Sequence, residues 1–464
     1  MAATFPGTPV SPGIRQPQDV SLVNLTLLTP TGTWDIKDSL TELSYHEDLF
    51  NNTTSGYAML TESSNFIETY QLNGNEFLRM TFSTTGQQGT EIDKLFRVYK
   101  VANRRLENTM YTTSYALYFC SEEMLLNEQY KISKAYPNQE IYKNVIDILL
   151  HELNVDPTKI SNIEETYGSY DFVIPTIKAF DAINMMAVYA RPSASALGSD
   201  MIFYEDKYGF NFRSLQSLMT NPLYHSYTYS PKNVDASNLN MNQFNVLTYE
   251  ILNSYDTLGG INSGIFANQL ISVDILTRTK KVTNFDYGSY VNDSNSTQLN
   301  PNAIINNYKN RKGDQLNQTP QAMLKLIFSN FNENESSFVQ QNSTTVPAVA
   351  HNIYAETYIP YRTAQLALAN YTRVKISVPG DSNLTVGTRV NFNLNSTNAL
   401  NQSPDAYYSG NYLVTAVRHL ITKVNNLTRY ITVLELCKDS VPTPYGSIDN
   451  SSTIWQNSAK GVFN

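Results

Sequence analysis

The sequence predicts a mainly β chain with added α+β material, in which two small β-barrel units are joined and flanked by a mixed α/β region. Three observations predict it. Short runs of alternating apolar residues occur near both ends of the chain. A helical period replaces them in the middle. The composition favours pleated surfaces and turns: the 464 residues include 32 Tyr, with only 16% charged residues, against about 25% in a typical soluble domain. Tyr and Thr suit half-buried strands, Asn suits the turns between them, and low charge suits a subunit packed among other subunits. An AT-rich coding sequence would produce the same bias. The length corresponds to roughly three domains.

The elements follow in order. Residues 1–18 hold Pro6, Pro9, Pro12 and Pro17 with Gly7 and Gly13, and no hydrophobic period, so they read as an extended arm. Val23, Leu25 and Leu27 alternate in Ser21–Leu28, and Leu78, Met80 and Phe82 share a face in Glu76–Phe82. Leu95–Val101 and Tyr115–Phe119 alternate again, with turn clusters at Asn51–Gly56, Asn73-Gly74 and Gly86–Gly89. Residues 19–120 are therefore expected to form the first barrel.

Ile141, Val145, Ile148 and Leu149 then make an amphipathic stripe, with Asn138 as the expected N-cap and Asn154 and Pro157 as the stop. A second helix is expected over Lys178–Ala190, burying Phe180, Ile183 and Ala187 and ending before Pro192. Met201–Phe212 reads as a hairpin turning at Asp206–Gly209. Asn245–Leu252 and Gly264–Thr283, with Ile271, Val273 and Ile275, read as strands. Asp286–Gln318 is polar, and its basic cluster Lys309, Arg311 and Lys312 reads as a solvated loop. A helix over Tyr361–Asn370 precedes strands at Arg373–Val378, Arg389–Leu394, Tyr412–Leu420 and Tyr430–Leu436. The expected division is 121–200 with 240–345 as a peripheral α/β region, 201–239 with 346–438 as a split second barrel, and 439–464 as a polar tail.

The chemistry-bearing residues form no catalytic set. His46, His151, His225, His351 and His419 are scattered; His151-Glu152 opens like a helical zinc motif, but Val155 stands where the second histidine is needed. Cys120 and Cys437 read as buried structural thiols. Glu122-Glu123 and Glu164-Glu165 are adjacent carboxylates that point apart in a strand. Gly259–Gly264 lacks the Lys-Ser/Thr of a phosphate loop and reads as a hairpin turn. The sequons at Asn24, Asn52 and Asn383 are expected by chance in so Asn-rich a chain. No catalytic residue, cofactor or metal is therefore expected. No run of about 18 apolar residues could span a bilayer, and no secretory leader is visible at Met1–Val10. A net charge of −8 disfavours a dedicated nucleic-acid binder.

Val378-Pro379-Gly380-Asp381-Ser382-Asn383-Leu384-Thr385-Val386-Gly387-Thr388-Arg389-Val390, Gly410–Leu420 and Arg429–Leu436 resemble the second barrel of baseplate central hub proteins from contractile-tailed bacteriophages. Phe96–Val101, Ser121–Glu123, Ile163–Thr166, Asp200–Leu215 and Leu72–Leu78 are similar to other parts of those hubs, in the same order, so the resemblance spans about Asp19 to Cys437. It implies two related tail-tube-like barrels and a homotrimer whose six barrels match a sixfold tube while keeping threefold symmetry for a spike. It also implies a place in the virion baseplate after assembly in the host cytoplasm. The implied partners are the tail tube or its initiator ring, the spike, wedge proteins and a tape-measure protein, with DNA passing transiently through a bore expected to be polar or acidic. The α/β region is expected outside the ring. Two alternatives remain: a tail-associated cell-wall-degrading enzyme, or a spike or hub protein of a related injection system.

Overall fold

The computed structural model describes residues 18–63, 66–70, 72–85, 91–106, 112–194, 199–229, 243–274, 278–293, 296–303, 324–328, 355–369, 371–396, 404–424 and 427–443. Residues 1–17 of the expected arm, the Gly86–Gly89 turn cluster, His351, Ile275, the Lys309–Lys312 cluster and the tail from residue 444 lie outside them.

Period-two alternation builds the first unit from β1 (Val20–Thr29), β2 (Gly32–Asp35), β3 (Leu40–Asp48), β4 (Ser55–Glu62), β5 (Phe77–Thr84), β6 (Ile92–Leu106) and β7 (Thr113–Cys120). Leu78, Met80 and Phe82 are buried together with Tyr115, Leu117 and Phe119. Val23 departs from expectation. A bulge between Leu22 and Asn24 shifts the register, so Leu25 and Leu27 enter the core while Val23 is 52% exposed.

The α/β unit contains β8 (Lys131–Glu140), β9 (Ile160–Ile163), β10 (Ser169–Lys178), β11 (Met201–Asp206) and β12 (Gly209–Ser214). The first predicted helix forms over Ile141–Asp147 and runs on as a π-turn over Ile148–Glu152; the second forms over Ala179–Ala187. Asn138 is not the N-cap. It lies in β8 with φ of 45°, and Glu140 precedes the helix; Asn tolerates that left-handed conformation, and strand pairing with β10 extends to the helix itself. The β11–β12 hairpin has two committed faces. Met201, Phe203, Phe210 and Phe212 enter the α/β core, while Ile202 and Tyr204 enter the core of the second β unit.

That second unit uses β13 (Leu223–Tyr229) and β14 (Thr248–Asn253) and, after an insertion, four strands from the last part of the chain. The insertion carries β15 (Ala267–Asp274), β16 (Thr279–Asp286), β17 (Asn302–Ala303) and β18 (Leu324–Phe328), with a helix at Ala355–Leu368. Gly259–Gly264 is mostly helix, not a hairpin turn: Asp256 caps the N–H of Gly259 at 2.8 Å, and Gly264 ends the Thr257–Ser263 helix at φ 75°. Then come β19 (Thr372–Pro379), β20 (Arg389–Leu394), β21 (Gly410–Val424), β22 (Leu427–Lys438) and β23 (Ser440–Val441).

The two β units are one continuous 13-stranded sheet. β21 changes partner along its length: residues 410–413 pair with β20 and residues 416–422 with β3. The far ends of β21 and β22 complete the first barrel, since Tyr430 donates its N–H to Gln18 O at 2.9 Å and both Ile421 and Tyr430 join that core. The second barrel closes where Thr228 meets Asn245, with Thr228 N–H on Phe244 O at 3.1 Å and Val246 N–H on Thr228 O at 3.0 Å. Closure at both places pairs backbone edges that would otherwise be open.

Candidate functional site

The structure scatters most of the residues that carry chemistry. His151 is exposed, and His225 stacks on Phe244. His46 and His419 lie on adjacent strands but on opposite faces of the sheet, since His419 pairs with Tyr45. Burial, then Arg418, pushes His46 down to about 4. No group of three or more His, Cys, Asp or Glu placed to hold a metal occurs among the described residues. Cys120 and Cys437 are buried free thiols that burial pushes up. Glu122 and Glu123 open a helix rather than a strand, and bond apart, to Arg97 at 3.5 Å and Lys159 at 2.6 Å. Glu164 accepts from Ser214 N–H at 2.8 Å. These carboxylates hold the fold.

What the sheet does assemble is a broad outer face that runs across both barrels. On β3, β4 and β7 the inward positions (Leu43, Tyr45; Ala58, Leu60; Leu117, Phe119) are buried, which leaves Glu42, Tyr57 and Tyr118 on the outside. Cross-strand register then makes a ladder: Tyr57 faces Tyr118, which faces Lys100, and the Lys100 ammonium sits 5.4 Å from the Tyr118 ring. Further along, Arg418 donates to Ser44 Oγ and Tyr57 Oη at 2.8 Å each and pairs with Glu42 at 3.4 Å. In the second barrel Arg373 pairs with Glu435, and Lys375 lies 3.9 Å from Glu250. Each of these three cations faces a carboxylate on a neighbouring strand. Sequence reasoning did not single out any of them.

Behind that face, the hairpin tip is wedged between the barrels. Glu205, 4% exposed, accepts from Lys94 Nζ at 3.0 Å and Thr54 N–H at 2.9 Å, and also from Ser121 Oγ. Burial opposes ionisation of both partners, yet Lys94 and its fellow donors hold Glu205 below its ordinary value, and Glu205 holds Lys94 above its own. Asp206 accepts from the N–H groups of Tyr208 and Gly209 at 2.8 and 3.0 Å. Lys207 reaches the 379–388 loop of the second barrel. From the first barrel, Thr84 N–H donates to Ser382 Oγ at 3.0 Å and Thr385 Oγ1 donates to Glu47. A signal existed in the sequence: Glu47 and Lys94 occupy inward positions of their alternating strands, where charge is costly unless paired.

A small cavity elsewhere is lined by Asp200, Gln216, Gln365 and Asp439 together with apolar side chains such as Leu215, Met219 and Val291, with room for about one water. Burial, opposed by the Gln216 N–H, pushes Asp200 up to about 6.

No family model and no curated protein matches this chain. Solved structures do. The tail protein from Neisseria meningitidis MC58 superposes with a TM-score of 0.50 at 10% identity, covering 90% of this chain and 96% of that one. The prophage MuSo2 43 kDa tail protein from Shewanella oneidensis gives 0.49 at 8% identity, covering 90% and 99%. Prophage tail protein gp18 from Listeria monocytogenes EGD-e gives 0.44 at 9% identity, covering 94% and 98%. The likeness is one of fold: this chain shares its architecture with a tail protein along nearly its whole length.

Proposed function

We propose that this protein is a structural subunit of a phage-type tail, the central hub of its baseplate, and that its role is architectural rather than catalytic. The observation that carries this reading is the shared sheet. Two barrels fused through β21 and β22 cannot turn freely about each other, so each chain offers two ring segments at a fixed angle. Three such chains then supply six segments, which fits a sixfold tube above and a threefold spike below. The ring is built from β1–β7 with β13, β14 and β19–β22, while the α/β unit of β8–β12 and the inserted β15–β18 lie outside, facing the wedge proteins. The outer face of the shared sheet lines the bore. Arg373, Lys375 and Arg418 on that face are paired with carboxylates, which lowers its net positive charge, so DNA crossing the bore is only weakly retained.

The test is the assembly state of the purified full chain. Sedimentation analysis is expected to give a trimer, and electron microscopy a ring with a central hole. A stable monomer at high concentration, or a trimer without a hole, contradicts the reading.

A further inference from the structure

The 379–388 loop is the place where the three units meet, and its contacts are almost fully assigned. Lys207 Nζ takes the carbonyls of Ser382 and Asn383, and Asp381 accepts from Tyr224 Oη at 2.8 Å and Asn383 N–H at 3.0 Å. Glu205 and Asp206 have the partners given above. Glu47 differs from these. Its Oε2 accepts from Thr385 Oγ1 and from Val386 N–H at 3.2 Å, but its Oε1 makes no hydrogen bond, although the residue is only 1% exposed. No Lys or Arg is bonded to it among the described residues. The Tyr45 hydroxyl lies on the same face of β3, close enough to Glu47 to interact with it, and it too is buried.

The charges around Glu47 explain why this matters. Facing it are Tyr45 on its own strand, Lys94 on β6, and Tyr204, Glu205, Asp206, Lys207 and Tyr208 on the hairpin. Asp381 lies in the loop and His419 stands across from Tyr45. Carboxylates outnumber ammonium groups in this set. An ionised Glu47 would leave a buried, charged oxygen unpaired, which is expensive; a neutral carboxyl, whose O–H can turn to the nearby Tyr45 hydroxyl, lowers that cost.

We propose that Glu47 carries a proton in the closed junction and acts as a proton-operated latch: neutral, it holds the 379–388 loop between the two barrels, and on ionising it loosens that contact. Burial, reinforced by Asp206 and opposed by Thr385, Val386 and Lys207, pushes Glu47 up to about 7. An acid whose folded value is raised binds its proton more tightly when folded. Its contribution to stability is therefore full at low pH and declines as pH rises towards 7. His46 and His419 act in the opposite sense, because burial lowers both. Their effect is common to the wild type and a Glu47 variant, so it cancels in the comparison. The latch belongs to the single chain and does not depend on ring assembly.

The test is hydrogen exchange of the Gly380, Val386 and Gly387 amides in the full chain, wild type against Glu47→Gln, at pH 6 and pH 8.5. Gln keeps the acceptor for Thr385 and Val386 and cannot ionise. The ratio of wild-type to variant protection factors is expected to fall about tenfold over this range. A ratio that stays constant overturns the proposal. A second measurement needs no variant. Infrared spectra of wild-type protein with 13C-labelled glutamate are expected to show a protonated carboxyl at pH 6 that is gone at pH 8.5, and its absence at pH 6 overturns the proposal as well.

Discussion

Lys207 Nζ donates to the carbonyl oxygen of Ser382 at 2.7 Å. A second bond, to Asn383 O at 3.2 Å, makes the grip bidentate. Lys207 belongs to the hairpin that packs into the α/β core, whereas Ser382 belongs to the loop between β19 and β20. One ammonium thus ties the peripheral unit to the second barrel, and Ser382 passes the tie on to Thr84 of the first.

Replacing that ammonium tests its weight. Lys207→Met keeps the length of the stem but strands two carbonyls. The expected loss is about 1.5–3 kcal/mol, the range for hydrogen bonds to a charged group, read as a lowered denaturation midpoint with an unchanged m-value.

The hairpin turn also depends on one glycine. At Gly209, with φ 138°, a Cβ would lie 1.9 Å from Lys159 O, the backbone beside which β12 pairs with β9. Gly209→Ala is expected to cost more than about 4 kcal/mol and to yield insoluble protein. Gly74, with φ 94°, has only Val98 O at 3.9 Å in its way, so Gly74→Ala is expected to cost about 1 kcal/mol of backbone strain. Thermal unfolding of the two variants side by side separates steric collision from conformational preference.

The Lys94–Glu205 pair makes a prediction whose sign depends on pH. Glu205 is held below its ordinary value, so its contribution is present above the unfolded carboxylate range and lost as pH falls through the folded value. Lys94→Met removes the counter-charge from a side chain that is 4% exposed, at an expected cost of about 3–5 kcal/mol near neutral pH. Glu205 then titrates upward, and the variant's stability deficit relative to wild type is expected to shrink on mild acidification. Denaturant melts across pH 4 to 8 check this, and Glu205→Gln in the same background is expected to restore much of the loss.

The strands were legible because burial on one face imposes alternation, and the inward residues of β5 and β7 follow it without exception. The joining of the barrels was not. Tyr412–Leu420 and Tyr430–Leu436 read as ordinary hairpin arms, and nothing local marks Ile421 and Tyr430 as core residues of a unit that begins some 400 positions earlier. Such pairing is set by tertiary packing, to which propensity is blind. Local signals also misled at Asn138 and Gly259–Gly264, where pairing with β10 and the Asp256 cap outweighed the expected N-cap and turn. Glu47 and Lys94 carried a usable warning, charge on an inward parity. The ion pairs of the outer face carried none, since their partners lie on strands distant in sequence.

That face supports the last prediction. Glu42 accepts from Tyr57 Oη at 2.6 Å and balances Arg418; Glu435 balances Arg373. All four side chains are about a third exposed, so the pairs add little stability in water, and Glu42→Gln with Glu435→Gln is expected to change the unfolding free energy by less than about 1 kcal/mol. The electrostatic consequence is larger. Two guanidinium groups per chain lose their counter-charges on one continuous surface, and three chains in a ring would present six. The double variant is expected to retain double-stranded DNA at low salt with a steep salt dependence, while the wild type does not. Filter binding at several salt concentrations reads this out. If wild type and variant bind equally, the ion pairs do not shield the face; if the variant binds but fails to form rings, the binding belongs to the monomer surface and not to a bore.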